Sequence, residues 1–315
     1  MIKLAIVSPC YNEEDVLENS AERLIGLFDR LIKDGDITPD SFVLYVNDGS
    51  IDQTWKIIKR LNRQKPYICG LCLAGNVGHQ NAIMAGMMKV KDMCDVAITI
   101  DADIQDDLEA IPHMIEKYNE GNDVVYGVKV SRTADPFLKR MSAQCFYKIQ
   151  SAMGVKSIYN HADFRLMSAK ALKYLAQYPE RNLYLRGMIP LMGLKSATVD
   201  DVISPRTAGS SKYTLHKMLK LAFDGITSFS TKPISLIVAL GFISLIITFI
   251  MVIHVFYAWI VGDVVPGWTE LMISLWFLGS AILLSVGVIG EYIGKIYSES
   301  KQRPLYFEDE FIGKA

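Results

Sequence analysis

Carboxylates cluster directly behind one apolar run of the sequence, in AITIDADIQDDLEAI, which covers residues 97–111. Asp101 and Asp103 stand two positions apart, so their side chains point to the same side if the extended conformation continues beyond the strand. Two such oxygen ligands, with Gln105 two positions further on, suit Mg²⁺ or Mn²⁺ bridging phosphate oxygens and suit zinc or copper poorly. The spacing therefore predicts a divalent metal site, although a D-x-D alone is common in acidic loops.

The remaining acids of this stretch have a structural interpretation. Asp106 and Glu109 form a D-x-x-E pattern, which predicts a capping box for a helix that begins at Leu108. The motif then divides into a metal-binding part followed by a helix cap.

Two other polar segments follow short apolar runs. In SPCYNEED, the rigid Pro9, the aromatic Tyr11 and the polar pair Asn12 and Glu13 could hold a base or a ribose. Asn12 could equally cap the helix that follows it. The second segment, VNDGSIDQT, contains Gly49 as a turn residue and is also compatible with a routine connection between a strand and a helix.

The elements that must position these residues alternate along the chain up to about Val128. The β-rich runs are KLAIVS, SFVLYVN, ICGLCL, DVAITI and DVVYGV, with helical patterns at 16–31, 54–61 and 108–118. This alternation predicts an α/β fold with a mostly parallel, Rossmann-like sheet covered by helices on both faces. Because ligands of such sheets bind at the carboxyl ends of the strands, the polar loops should converge on one edge. Two further strands are predicted at DFRLMS and KSATVDDV.

Two apolar runs near the C-terminus, 233–261 and 268–290, are each long enough to cross a hydrocarbon layer of about 30 Å. A buried hairpin in a soluble core is the alternative, but core helices are seldom apolar on every face for this length. Lysines flank the pair on both sides, so the positive-inside rule predicts a transmembrane hairpin with both ends in the cytosol. A G-x-x-x-G formed by Gly290 and Gly294 favours close helix packing.

The stretch 206–232, just before the first run, predicts a loop and then a basic amphipathic helix in the headgroup layer of a membrane. An ordinary core-packing helix is the alternative. The N-terminus lacks the pattern of a signal peptide, so we expect the first two hundred residues to stay in the cytosol.

Charge and cysteine content exclude some functions. A net charge of −1 argues against a nucleic-acid binder that works by bulk electrostatics. The five cysteines are an odd number, which is typical of reduced thiols. Cys69 and Cys72 form a C-x-x-C, but positions i and i+3 of a strand point to opposite faces, so we interpret both as strand residues.

The segments SPCYNEE, VNDGSIDQT, GNVGHQNAIMAG and DADIQDDLE, in this order and spacing, resemble the nucleotide-sugar half of glycosyltransferase family 2, which has the GT-A fold. GVKVSRTADPFLKR, NHADFRLMS and RTAGSSKYTLHKMLKLAFDGITSFSTKP, followed by two apolar runs, narrow the similarity to the polyprenyl-phosphate glycosyltransferases. The similarity covers essentially the whole chain. It implies a cytosolic GT-A domain at 1–205, the juxtamembrane loop and helix at 206–232, two transmembrane helices within 233–294 and a cytosolic tail at 295–315.

The resemblance also implies roles for particular residues. The metal and diphosphate site would comprise Asp101, Asp103 and Gln105. The nucleotide-sugar pocket would comprise Pro9, Tyr11, Glu13, Asp48, Asp101 and Ala102. The catalytic centre would comprise Asp163, Arg132 and Arg165, and the acceptor phosphate or diphosphate would be bound by Arg206, Ser211 and Lys212. Departures from the family pattern are Asn47 in place of aspartate, His79 in place of a common lysine and Ala162 in place of glycine.

The implied activity is inverting transfer of one sugar from a nucleotide sugar to polyprenyl phosphate, with Mg²⁺ or Mn²⁺ as cofactor and UDP-glucose as the favoured donor. UDP-galactose, UDP-N-acetylglucosamine and GDP-mannose are alternative donors. Since a lipid phosphate is already mostly ionised at pH 7, Asp163 is expected to orient groups first and to act as a base second. Related enzymes can be tetrameric, which makes a homo-oligomer the expected assembly.

Two other functions stay open. A processive polysaccharide synthase is disfavoured because the sequence has no Q-x-x-R-W and two spans make no obvious channel. A membrane-anchored nucleotide-sugar sensor without turnover is disfavoured by the complete set of acids and arginines.

Overall fold

The computed structural model describes residues 1–129, 161–202, 232–261 and 267–313. The first elements are β1 (Leu4–Cys10), α1 (Leu17–Asp34), β2 (Phe42–Asn47), α2 (Thr54–Gln64), β3 (Ile68–Leu73), α3 (His79–Val90), β4 (Val96–Thr99), α4 (Ala110–Asn119) and β5 (Val124–Lys129). The later elements are β6 (His161–Ser168), α5 (Ala169–Leu175), α6 (Leu185–Leu191), β7 (Ser196–Asp201), α7 (Lys232–Val261), α8 (Trp268–Lys301) and β8 (Glu308–Ile312). The seven strands predicted from the sequence are all confirmed.

The described strands form one eight-stranded sheet in the order β7-β5-β6-β4-β1-β2-β3-β8. At its centre β1 pairs in parallel with β2 and β4, and β2 pairs in parallel with β3. Strand β6 lies between β4 and β5 and is antiparallel to both, and β8 is antiparallel to β3. At the other edge β5 pairs in parallel with β7. Six of the eight described strands therefore run in one direction, so the prediction of a mostly parallel sheet is confirmed, and β6 and β8 make the sheet mixed.

Alternate residues of each strand pack against different layers of helices. In β1, Leu4 and Ile6 belong to a core that contains residues of α1, α2 and α4. Ala5 and Val7 belong to a second core, which contains residues of α3, α5 and α6. Since successive side chains of a strand point to opposite faces, helices cover both faces of the sheet, as predicted.

The cysteines of β3 follow the same alternation. Cys69 packs in the core on the α3 side of the sheet, and the sulfur of Cys72 accepts a hydrogen bond from Asn47 Nδ2 at 3.2 Å. Both side chains are buried. Their interpretation as strand residues is confirmed.

The last strand, β8, was not predicted from the sequence. It pairs with β3, and just before it the carbonyl of Phe307 accepts a hydrogen bond from the Ala74 amide at 3.0 Å. Glu310 forms a 2.6 Å ion pair with Lys59 of α2. Strand β8 thus covers the edge of β3, which would otherwise present unpaired backbone groups.

Helices α7 and α8 hold large apolar side chains on their surfaces. Leu283 and Leu284, for example, are 74% and 73% exposed. The segment Phe277–Lys301 is long and apolar enough to cross a membrane, with a mean hydropathy of 1.7 over an 18-residue window, and Lys232–Ser244 of α7 is a shorter apolar stretch. This combination indicates association with a membrane. The transmembrane hairpin stays a prediction, and the juxtamembrane segment 206–232 lies, apart from Lys232, outside the described residues.

We expect Gly86→Ala in α3 to destabilise the protein by about 1–3 kcal/mol through overpacking. A Cβ at this position would lie 2.3 Å from Val7 Cγ1 and 2.8 Å from Val46 Cγ2. Gly26→Ala in α1 is the matched control, because no atom in the described part of the chain lies within 4 Å of its added Cβ. There, the better helix propensity of alanine should stabilise the fold by up to about 1 kcal/mol. Thermal unfolding measures both changes, and shifts of the same sign would contradict the close packing of α3 on β1 and β2.

Candidate active site

The predicted metal ligands lie in a tight turn at the carboxyl edge of the sheet. Strand β4 ends at Thr99, and the amide of Ile104 donates to the carbonyl of Asp101 at 3.1 Å. Ile104 has a φ of 43°, which is a strained value for a β-branched residue, and its carbonyl accepts a hydrogen bond from Arg23 Nη1 at 3.1 Å. The expectation that an extended strand aligns Asp101 and Asp103 is therefore wrong, because the chain turns between them.

The capping box predicted from Asp106 and Glu109 is also wrong. Helix α4 begins at Ala110 without a side-chain cap. Asp106 is 4% exposed, and its Oδ1 lies 3.9 Å from Lys129 Nζ. Glu109 instead forms a 2.7 Å ion pair with Arg30 of α1. The pattern failed because both acids have cationic partners on other elements.

Several carboxylates lie within electrostatic reach of one another around this turn. Burial and the charge of Asp101 raise the pKa of Asp106 to about 8, with smaller contributions from Asp201 and Asp103, although Lys129 opposes the shift. Because the pKa rises where negative charges repel each other, a cation in this region would relieve the repulsion.

The donor set is too small to hold such a cation alone. Over the ranges that the structure describes, no group of three or more His, Cys, Asp or Glu side chains could hold a metal ion. Mg²⁺ commonly takes one or two carboxylates and completes its shell with water and substrate phosphates. The chemistry of Asp101, Asp103 and Gln105 thus fits a cation that is shared with a bound diphosphate.

Strand β6 brings a buried cluster of charges to the same edge. Because β6 is antiparallel to β4, its first residues lie beside the end of β4, and Arg165 is the register partner of Thr99. Asp163 is 9% exposed, and its Oδ1 accepts hydrogen bonds from Arg165 Nη2 at 2.5 Å and Arg186 Nε at 3.2 Å. Its Oδ2 accepts a third bond from Arg186 Nη2 at 3.0 Å.

These partners keep Asp163 ionised. Burial alone would raise the pKa of Asp163, but Arg186, the hydrogen bond with His79 and Arg165 hold that pKa well below its usual range. A carboxylate with so low a pKa is a weak base.

His79, the first residue of α3, lies between the acidic turn and the buried cluster. Its Nε2 is 3.7 Å from Asp101 Oδ1 and 3.5 Å from Asp163 Oδ2. Burial lowers the pKa of the imidazole, but the hydrogen bond with Asp163 and the charges of Asp101 and Asp163 outweigh burial, so the pKa is raised. A histidine at this position thus favours the cationic form, as the common lysine of the family pattern would.

Sequence reasoning missed Arg186 and assigned no role to His79. Arg186 is the second residue of the otherwise apolar helix LRGMIPL, and this isolated cation was the available signal. Its pairing with Asp163 depends on how α6 packs on the sheet, which local sequence patterns do not specify.

Asp48 organises the loop that leads to His79. Asp48 is 3% exposed, and its Oδ1 and Oδ2 accept hydrogen bonds from the amides of Val77 at 2.7 Å and Gly78 at 3.1 Å. Gly78 has a φ of 90°, which favours glycine. The carboxylate of Asp48 therefore fixes the start of α3.

The loops after β1 and β2 are joined to each other. Asn12 Oδ1 accepts a hydrogen bond from the amide of Ile51 at 3.0 Å, and the amide of Glu13 donates to Thr54 Oγ1 at 2.9 Å. Helix α1 begins at Leu17 without a side-chain cap, so the interpretation of Asn12 as a helix cap is wrong. These bonds hold the segment of the predicted nucleotide pocket against the neighbouring loop.

The other predicted site residues differ in their exposure. Tyr11 is 43% exposed, Glu13 and Gln105 are partly exposed, and the side chains of Pro9 and Ala102 are buried. Arg165 is fully buried, and its hydrogen bond to Asp163 holds that carboxylate in place. The predicted residues Arg132, Arg206, Ser211 and Lys212 lie outside the described residues.

Comparison with known proteins agrees with this architecture. Residues 5–175 match the family model described as glycosyl transferase family 2. The chain is 47% identical over 306 residues to the uncharacterized glycosyltransferase YkoT of Bacillus subtilis, covering 97% of this chain and 91% of the relative. It is 36% identical over 314 residues to the bactoprenol glucosyl transferase of Shigella phage SfV, covering 97% of each.

One solved structure, the mannosyltransferase PcManGT from Pyrobaculum calidifontis in complex with GDP-Man and Mn²⁺, is similar over 96% of this chain and 86% of its own, at 13% identity and a TM-score of 0.44. The mixed α/β sheet with helices on both faces is a GT-A-like fold. The chain belongs to glycosyltransferase family 2.

We expect Asp163→Asn to destabilise the protein by about 3–5 kcal/mol, because it leaves Arg165 and Arg186 without their buried counter-charge. The pKa of Asp163 is lower in the folded than in the unfolded chain, so its stabilisation is complete above the unfolded value of about 4. It is lost as the pH falls through the folded-state pKa. The difference in unfolding free energy between wild type and variant should therefore shrink between about pH 4.5 and pH 2.5.

The control is Asp92→Asn, at a side chain that is 66% exposed, which should change stability by less than about 0.5 kcal/mol. Chemical denaturation across this pH range measures both variants. A wild-type advantage over Asp163→Asn that is independent of pH would contradict the low pKa.

Proposed function

We propose that the protein transfers a single sugar, with inversion at the anomeric carbon, from a nucleotide sugar to polyprenyl phosphate at the cytoplasmic face of a membrane. The observation behind this proposal is the closeness of Asp101, in the acidic turn, to Asp163, in the buried cluster. A single imidazole, that of His79, lies within 3.7 Å of both carboxylates. The acidic turn proposed for the diphosphate and the charged cluster around Asp163 are therefore close enough to face the same anomeric carbon.

The acceptor and donor are proposed from the relatives. Bactoprenol glucosyl transferases align with this chain over nearly their whole length, at 36% identity for the enzymes of Shigella phages SfV and SfII. This supports a polyprenyl phosphate acceptor and makes UDP-glucose the favoured donor. UDP-galactose, UDP-N-acetylglucosamine and GDP-mannose remain the alternative donors.

The reaction joins an oxygen of the lipid phosphate to the anomeric carbon while the bond from that carbon to the diphosphate oxygen breaks. The electron pair leaves with the nucleoside diphosphate, so negative charge develops there. Asp101, Asp103 and Gln105 would hold Mg²⁺ or Mn²⁺, which supplies Lewis-acid stabilisation of that charge when bound. Arg132, Arg206, Ser211 and Lys212 are proposed to bind the diphosphate and the acceptor phosphate.

Asp163 is proposed to orient groups and not to remove a proton. The second pKa of a phosphate monoester is about 6, so the acceptor is mostly ionised at pH 7 and needs no base. The low pKa of Asp163 supports the same assignment. Its carboxylate holds Arg186 and interacts with His79, whose raised pKa favours the proton on the imidazole and suits it to contact substrate oxygens. Arg165, which is fully buried, is proposed to act by holding Asp163.

The nucleotide pocket is proposed to lie beside the acidic turn, because β1 and β4 are neighbours in the sheet. Tyr11 is exposed enough to stack on a base, and Glu13 follows it in the same loop. Asp48, with both oxygens bonded to backbone amides, would shape the pocket. The buried Pro9 and Ala102 would contribute through their backbone.

The apolar helices are proposed to anchor the protein as a two-helix transmembrane hairpin with both ends in the cytosol. Their exposed apolar side chains support this arrangement, since the acceptor phosphate lies at headgroup depth. Among the described residues, no atom lies within 4 Å of a Cβ added at Gly290 or Gly294 of α8, so this small-residue face could accommodate another helix. A homo-oligomer, such as a tetramer, is therefore proposed.

A donor screen tests the function directly. The purified full chain in a lipid bilayer is mixed with undecaprenyl phosphate and each of the four nucleotide sugars, with Mg²⁺ or Mn²⁺ present. We expect a lipid-linked sugar and one free nucleoside diphosphate per transfer, with UDP-glucose the best donor. Nucleotide sugar binding without any lipid product would favour the sensor instead.

Asp103→Ala should lower the rate of transfer by about a thousandfold or more, because the leaving diphosphate loses its charge stabilisation. The fold should be retained, which circular dichroism checks. Asp92→Ala is the control for removal of an exposed acid and should keep the wild-type rate. Wild-type turnover in Asp103→Ala would refute the assignment of Asp103 to a metal site.

A further inference from the structure

The carboxylate of Glu299 connects the end of α8 to the loop that precedes α6. Its Oε1 accepts hydrogen bonds from the Asn182 amide at 2.8 Å and from Asn182 Nδ2 at 3.1 Å. The amide of Arg181 donates to Oε1 at 2.9 Å and to Oε2 at 2.8 Å. Hydrogen bonds to a carboxylate are charge-assisted and stronger than neutral ones. Glu299 therefore holds two consecutive loop amides.

This loop continues at once into the candidate active site. Leu185, the first residue of α6, donates its amide to Gln80 Oε1 at 3.0 Å, and the next residue is Arg186, which is bonded to Asp163. Tyr184 and Leu185 are 7% and 0% exposed, so the chain before Arg186 is packed. Because this segment is packed, a displacement of Asn182 would be transmitted to the start of α6 almost undiminished.

The other side of Glu299 is fixed to the sheet. Beyond the end of α8, Leu305 and Tyr306 pack against the core that contains α3, α5 and α6. Strand β8 then pairs with β3. The packing of Leu305 and Tyr306 and the pairing of β8 therefore fix the end of α8 to the sheet, and Glu299 fixes the loop before α6 to the end of α8.

We propose that Glu299 is a positioning residue for the site: it fixes the start of α6 so that Arg186 keeps Asp163 in its working orientation. For its kinetic readout, this inference rests on the proposed transferase function. It links the catalytic cluster to the end of a helix that we assign to the membrane. The site is then fully organised only while α8 is seated against the catalytic sheet.

Kinetics of Glu299 variants test the role. Glu299→Ala should lower kcat about tenfold and change KM for the nucleotide sugar less than twofold, because the loss is one of orientation. Glu299→Gln should be similarly impaired, since its amide group presents N–H donors to the loop amides. Glu299→Asp, which keeps the carboxylate, should recover part of the rate. Glu291→Gln on the same helix is the control, because none of the described residues forms an ion pair with Glu291.

A double-mutant cycle separates positioning from a general structural role. If Glu299 acts through Arg186, Glu299→Ala should change kcat less than twofold in an Arg186→Gln background. A tenfold loss in both backgrounds, or an unchanged kcat in Glu299→Ala alone, would overturn the inference.

Amide hydrogen exchange of the full chain in a bilayer gives a readout that needs no turnover. Glu299→Ala should speed exchange at Arg181 and Asn182 and also at Leu185, Gly187 and Met188, whose amides are hydrogen-bonded. An increase confined to the first two amides would refute the link to α6. If exchange also becomes faster in α6, the positioning role is supported whether or not the protein transfers sugar. If the wild type transfers no sugar, the proposed function is refuted independently of that result.

Discussion

A carboxylate buried among two guanidinium groups and an imidazole is the constraint on which this site depends. An ionised Asp163 would be too costly to bury alone, and its partners come from three elements: β6, α6 and α3. These elements must therefore meet at one point for the charge to be satisfied. Apolar side chains of similar volume are often at least as stabilising as a buried ion pair, so stability alone does not account for the cluster.

Much of the fold followed from local patterns, because each strand of the sheet's centre is a short apolar run that ends in polar residues. The pairing of strands that lie far apart in sequence could not be predicted. Strand β6 could be predicted from DFRLMS, but its insertion between β4 and β5 depends on contacts between segments far apart in sequence. Strand β8 went unrecognised because the charged stretch EDEFI has little apolar content, and its partners Lys59 and Lys89 lie more than two hundred positions away.

The site was predictable in composition and less so in geometry. Motifs named the acids and Arg165 but missed Arg186, and the sequence cannot tell which carboxylate oxygen is left for a substrate. Asp48 uses both carboxylate oxygens on backbone amides, and Asp106 matches a capping pattern while lying buried near Lys129. The pairing of Asp163 with Arg165 was not predicted, but strand geometry accounts for it, since Phe164 between them points into the opposite core.

The two outermost strands of the sheet lie on either side of the apolar helices in sequence. The chain leaves the sheet at β7, forms α7 and α8, and returns at the opposite edge as β8. During synthesis the edge of β3 must therefore stay uncovered until both helices have left the ribosome, at a stage when open edges are prone to pair wrongly. Completion of the sheet is in this way delayed until the chain has made both apolar helices.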